Sequence, residues 1–169
     1  LIFIALFWKF GTDLILFAKY CVLFIFLIPI FFIDLYHRLI LDKLTIPMAI
    51  IGLGFALIPN LDVKILNAFL TGLSIMAVML LIAWLFEKIK KVDGMGGGDI
   101  KLLAAMATFL GAIGISFIVL FASIIAIVVA VIFSKTREHG IPYGPFLAVS
   151  TFFWLLFGNY FLEWYFSLI

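Results

Sequence analysis

Apolar runs of membrane-crossing length follow one another through this chain, and nothing else in it constrains the fold as tightly. A helix needs about 20 apolar residues to cross the hydrocarbon core of a bilayer, with a range of about 17 to 25. Residues 14–35 and 64–86 form full apolar segments, and 44–59 forms a shorter one. Residues 100–111 lead through a predicted tight turn at Gly111 and Gly114 into 115–133, and a last segment covers 142–158. Residues 1–10 read as the tail of a further helix, ended by Gly11, Thr12 and Asp13. No strand-like alternation is sustained, which argues against a barrel. Backbone polar groups in lipid must be paired within the chain. The expected fold is therefore all-α, a polytopic transmembrane helical bundle of about six membrane segments plus the partial N-terminal helix.

Composition explains why lipid is required. The chain is 67% hydrophobic and 12% charged, against about half and about a quarter in an ordinary soluble domain. A soluble fold of this size leaves too much surface to hide so many Phe, Leu and Ile residues. Net charge is +2 without a basic run long enough for nucleic acid. Cys21 stands alone in an apolar stretch and reads as a small apolar residue, with no disulfide or zinc cluster available to it. The first residue is Leu within a hydrophobic run, so the chain reads as a fragment or processed form with upstream residues missing.

Charge placement sets an expected orientation. If every segment crosses, the loops after 35, after 86 and after 133 share one side. Arg38, Lys43, Lys88, Lys90, Lys91, Lys101, Lys135 and Arg137 fall there, while Lys64, with Lys9 and Lys19 near it, falls on the other. Basic residues accumulate on cytoplasmic loops, so the first group of loops is expected to face the cytoplasm. The aromatic tail with Trp164 and Tyr165, and Trp154 before it, fit either an interfacial belt or core packing.

Ionisable groups at the edge of a membrane segment are costly, and two aspartates stand in that position. Asp34 follows the apolar run PIFFI, and Asp99 follows Gly96-Gly97-Gly98. Two carboxylates brought together can share a proton, one acting as general base on a water and the other as general acid. Purely structural roles also fit: Asp99 as a helix N-cap, and Asp34 as partner to Arg38 one turn on. The glycines before Asp99 permit close backbone approach, or serve as a flexible linker. Asp42 in the same polar insert is the best rival to Asp34; Asp93 reads as solvated, and Asp13 and Asp62 fall on the opposite side. His37 and His139 lack a second ligand at metal spacing, so no metal or other cofactor is expected. Neither histidine stands in an obvious relation to a serine nucleophile, and the glycine run lacks the phosphate-loop spacing.

These residues also resemble a known family. Gly96-x-Gly98-Asp99 followed by Ile100-Lys101-Leu102-Leu103-Ala104-Ala105 resembles the second catalytic motif of type IV prepilin peptidases, which are GxGD intramembrane aspartyl proteases. Ile33-Asp34-Leu35 and then Leu41-Asp42-Lys43-Leu44-Thr45 resemble the first, and Ile141 to Ala148 (IPYGPFLA) resembles the late proline-glycine motif. The resemblance implies an endopeptidase that removes the leader from type IV prepilins or pseudopilins at the cytoplasmic face of a bacterial inner membrane. It implies Asp34 and Asp99 as the catalytic pair, with Gly96, Gly98 and Lys101 shaping the site, and 1–169 as one membrane-embedded peptidase domain. The role of Lys101 is left open between orienting a helix end and contacting lipid headgroups.

Two departures accompany the resemblance. Leu41 stands where the family's insert often has a proline, which touches loop shape and leaves the aspartates intact. Members that also N-methylate carry an N-terminal region with paired cysteines, of which nothing is present here, so methyltransferase activity is not expected of this stretch. Expected partners are prepilin substrates and membrane lipid. Presenilin-type proteases share the aspartate pair but differ in the late motif. A proton- or cation-coupled transporter is the alternative from another class, with its ligands expected nearer mid-membrane.

Overall fold

The computed structural model describes residues 1–91, 96–133 and 142–167. They form six helices in chain order: α1 Ile2–Phe10, α2 Leu14–His37, α3 Asp42–Ala56, α4 Ile65–Lys90, α5 Gly97–Phe133 and α6 Gly144–Ser167. Asp13 starts α2 as an N-cap, its Oδ1 accepting the backbone N–H groups of Ile15 and Leu16 at 3.1 Å each. Arg38 ends it in the left-handed region (φ 54°), its N–H donating to the Asp34 carbonyl. Between these caps α2 buries Tyr20, Leu23, Phe24, Leu27 and Ile30, and Asp34 continues the same stripe. Steps of three and four keep residues on one helix face, so Asp34 points inward with the core.

The 37 residues of α5 do not form one rod. Gly111 adopts φ 66° and ψ −177°, outside helical geometry and in a region that favours glycine. Asp99 and Ser123 nevertheless line one cleft, as do Leu103 and Val119. A straight helix would hold Asp99 and Ser123 about 36 Å apart, so α5 folds back at Gly111 into a helical hairpin. The expected turn is thus where the structure has it. Gly114 belongs instead to the second arm, where a Cβ would lie 2.8 Å from the Trp154 indole nitrogen.

Four helices (α2, α4, α5 and α6) are long and apolar enough to cross a membrane, α5 through its second arm, 112–133, which makes this a multi-pass membrane protein. The expected count of about six membrane segments goes beyond the four that these lengths support. At about 1.5 Å per residue α3 is about 22 Å long, short of the ~30 Å hydrocarbon core, and α1 is shorter still. The apolar face of α4 remains largely uncovered, with Leu70, Leu73, Leu80, Leu81 and Trp84 exposed, as a lipid-facing helix requires. Trp154 packs on Phe117 at 4.9 Å between centroids, while Trp164 and Tyr165 are exposed on α6. Core packing describes the first tryptophan only.

The ends of the bundle differ in chemistry. At one end Lys19, 1% exposed, is paired with Asp62 of the α3–α4 loop, whose other oxygen accepts the Tyr20 hydroxyl at 2.7 Å. Gly111 lies against Val63 of the same loop. The other end collects the α2–α3 loop, the start of α5 and the start of α6. Small residues let the helices approach: a Cβ at Gly52 of α3 would collide with Thr108 Oγ1 and fall 2.7 Å from the Phe109 ring, whereas one at Gly54 meets open space. Gly52→Ala is therefore expected to destabilise the fold by about 1–3 kcal/mol through overpacking. Thermal unfolding in detergent should show a lower midpoint for it and no loss for Gly54→Ala.

Candidate active site

Asp34 is 4% exposed, and its Oδ2 accepts the backbone N–H of Gly144 at 2.8 Å. That bond joins the end of α2 to the first residue of α6. It exists because residue 144 is glycine: a Cβ there would stand 2.8 Å from Asp34 Oδ2 and 3.2 Å from its Cβ and Cγ. The N–H it offers is one of the unpaired donors at a helix start, where a carboxylate is favoured. The Arg38 charge reaches Asp34 without an ion-pair contact between them among the described residues; the carboxylate is instead bonded inside the bundle.

Asp99 lies in the first turn of α5, its N–H donating to the Gly96 carbonyl at 3.0 Å. A Cβ at Gly96 would be 3.2 Å from Asp99 Oδ2, and one at Gly98 would be 2.9 Å from Ile40 Cβ. Both glycines thus clear space, the first for the carboxylate and the second for the α2–α3 loop. The other carboxylate oxygen, Oδ1, is buried without a partner among the described residues. An unpartnered carboxylate oxygen at the edge of a lipid-facing bundle is expensive. Asp99 lines a cleft of about 480 Å³, walled also by Met79 and Phe86 of α4, Leu103 and Ser123 of α5, and Tyr143. Asp34 and Asp99 are near enough for the charge of one to act on the other. Asp34 itself does not line the cleft.

Tyr143 and Gly144 connect the two halves. The Tyr143 hydroxyl is 3.0 Å from Ser123 Oγ and 3.3 Å from the Val119 carbonyl, while Ser123 Oγ donates to that carbonyl at 2.7 Å. Burial pushes the Tyr143 phenol above its ordinary pKa, the Ser123 hydroxyl pulls it down, and nearby Asp99 pushes it up. The group therefore stays protonated through the neutral range and donates. Its neighbour Gly144 simultaneously holds Asp34.

Of the residues expected at the site, Asp34, Asp99, Gly96 and Gly98 gather at one end of the bundle. Lys101 stands outside the cleft, half exposed, and its Nζ contacts both oxygens of Asp42 at 2.8 and 2.7 Å. Asp42, the rival to Asp34, is thereby engaged on the surface. Asp93 and His139 lie outside the described residues. Sequence reasoning assigns no site role to Tyr143, Gly144 or Ser123. Gly144, flanked by aromatic and proline residues before an apolar run, carries a signal for a constrained helix start. Ser123, a lone hydroxyl in an apolar run, carries none.

Residues 21–131 match the model of the type IV leader peptidase family. A prepilin leader peptidase/N-methyltransferase of Xanthomonas campestris pv. campestris is 36% identical over 154 residues, 87% of this chain and 53% of the relative. The protein of the same name from Dichelobacter nodosus is 35% identical over 78% of this chain and 46% of its own length. That from Legionella pneumophila is 33% identical over 94% and 56%. The chain thus spans about half the length of the curated relatives it matches. No solved structure matches it.

Proposed function

The chain belongs to the type IV leader peptidase family, and from that premise we infer that it is an intramembrane aspartyl endopeptidase that removes the N-terminal leader of type IV prepilins or prepilin-like (pseudopilin) proteins. The names of its relatives support that substrate class. The observation that carries the mechanism is the gathering of Asp34 and Asp99, distant in sequence, at one end of an apolar bundle around the Gly144 N–H and an open cleft. The excess of Lys and Arg on the loops of that end supports a site at the cytoplasmic face of a bacterial inner membrane.

In this reading the substrate backbone enters the cleft at Asp99. At rest only Asp99 faces the cleft, so substrate engagement has to bring Asp34 to the same peptide bond. One carboxylate takes a proton from water as the water oxygen attacks the scissile carbonyl carbon. The other, protonated, hydrogen-bonds the carbonyl oxygen and then passes its proton to the departing nitrogen as the C–N bond breaks. Tyr143 and Ser123 lie on the cleft wall, where an extended substrate would pass.

The test is incubation of the purified chain in detergent with a prepilin that one of the relatives processes, with the new N-terminus read by mass spectrometry. Removal of the leader at a single bond is the expected result. An intact prepilin in the presence of folded protein would refute the assignment for this chain.

A further inference from the structure

The α2–α3 loop and the first residue of α3 make three contacts that link the two aspartates by a route separate from Gly144. Arg38 closes α2 on the carbonyl of Asp34 itself, at 2.9 Å. Ile40 lies over Gly98, where a Cβ would be 2.9 Å from Ile40 Cβ and 3.3 Å from its carbonyl oxygen. Asp42, in the first turn of α3, takes Lys101 Nζ on both carboxylate oxygens. Gly98 immediately precedes Asp99 and Lys101 follows it by two positions, so the loop grips the α5 start on both sides of the acidic residue.

The pair has a simpler description as a solvated surface contact, since its side chains are 52% and 50% exposed. Exposed pairs of this kind add little to stability, and Asp42 also gains from the α3 dipole without any partner. Stability, however, is not what a site at the meeting of three helix ends lacks. The α5 start is glycine-rich, with backbone freedom that must be restrained. A displacement of about 1 Å at reacting groups costs on the order of a hundredfold in rate.

We propose that Asp42 and Lys101 are positioning residues, a clasp that fixes the Asp99 turn of α5 against the loop ending the Asp34 helix. The clasp rests on the peptidase reading for its consequence, and on geometry alone for its existence. Neither residue touches substrate. Asp42→Asn and Lys101→Met are each expected to lower kcat about three- to tenfold with KM unchanged. The exchanged pair, Asp42→Lys with Lys101→Asp, should recover most of the loss. Because exposed charges are screened by salt, kcat of the wild type should fall as NaCl rises, while Asp42→Asn should not respond.

An activity-independent readout separates this proposal from the peptidase reading. With Cys21→Ala as background, Asp34→Cys and Asp99→Cys report the spacing of the two positions through their rate of disulfide crosslinking. That rate should fall several-fold on adding Asp42→Asn or Lys101→Met and return with the exchanged pair. Failure of the wild type to cleave prepilin would overturn the peptidase reading and leave the crosslinking result to decide the clasp. Crosslinking unaffected by the single changes would overturn the clasp. So would an exchanged pair no better than the worse single variant, or a raised KM in Lys101→Met alone, which would assign Lys101 to substrate or lipid.

Discussion

Asp34→Asn and Asp99→Asn are each expected to reduce leader removal by at least about a thousandfold, with the protein still inserted and folded. An amide has nearly the shape of a carboxylate but cannot take up or release the proton that the reaction moves. General acid–base groups contribute about 10²–10⁴-fold, and a dyad acting as one unit loses nearly everything when either member is removed. Asp34→Asn and Asp99→Asn together should therefore be no worse than either alone. The two positions differ in what else the change disturbs. In Asp34→Asn the new amide oxygen can still accept the Gly144 N–H, and at position 99 Oδ1 has no hydrogen-bond partner to lose. Loss of rate without loss of the thermal midpoint is the expected signature in both. Turnover retained by either variant would remove that residue from the pair.

Gly144→Ala is expected to lower kcat about a hundredfold while changing a single methyl group. The added Cβ would sit 2.8 Å from Asp34 Oδ2 and 3.2 Å from its Cβ and Cγ, closer than nonbonded atoms settle. Neither neighbour has room to yield: Asp34 is 4% exposed on a helix, and Gly144 is buried at the start of another. The carboxylate must swing away and give up its 2.8 Å bond, and a displacement of about 1 Å at a reacting group suffices for a loss of this size. Gly54→Ala, where a Cβ meets nothing within 4 Å, is the matched control and should leave kcat unaltered. Equal activity of the two variants would mean that the Gly144 contact does not set the position of Asp34.

The membrane-embedded helical character of the chain was legible because lipid leaves the backbone few ways to satisfy its polar groups. Segment positions followed from hydropathy, and α2, α3 and α4 begin and end within a few residues of the expected runs. The turn at Gly111 was legible as well, since glycine there reaches a positive φ at no steric cost. The count of crossings was less so. Apolarity does not distinguish a run that crosses lipid from one that packs in a short helix such as α3 or in the first arm of the α5 hairpin.

At the site the division is sharper. Asp34 and Asp99 stood out one by one, because a charge at a membrane edge is conspicuous in an apolar chain. Their pairing was expected from the family resemblance and not from the residues one by one, and the contacts that position them depend on three helix ends meeting. Gly144 as donor to Asp34, Tyr143 braced on Ser123 and Val119, and Asp42 claimed by Lys101 are all contacts between distant stretches. By itself the sequence determined the solvent, the secondary structure and the candidate acids, since those depend on local composition and spacing. Only the tertiary structure decided which hydrogen bond holds Asp34 and which carboxylate faces the cleft, because those depend on how α2, α5 and α6 converge.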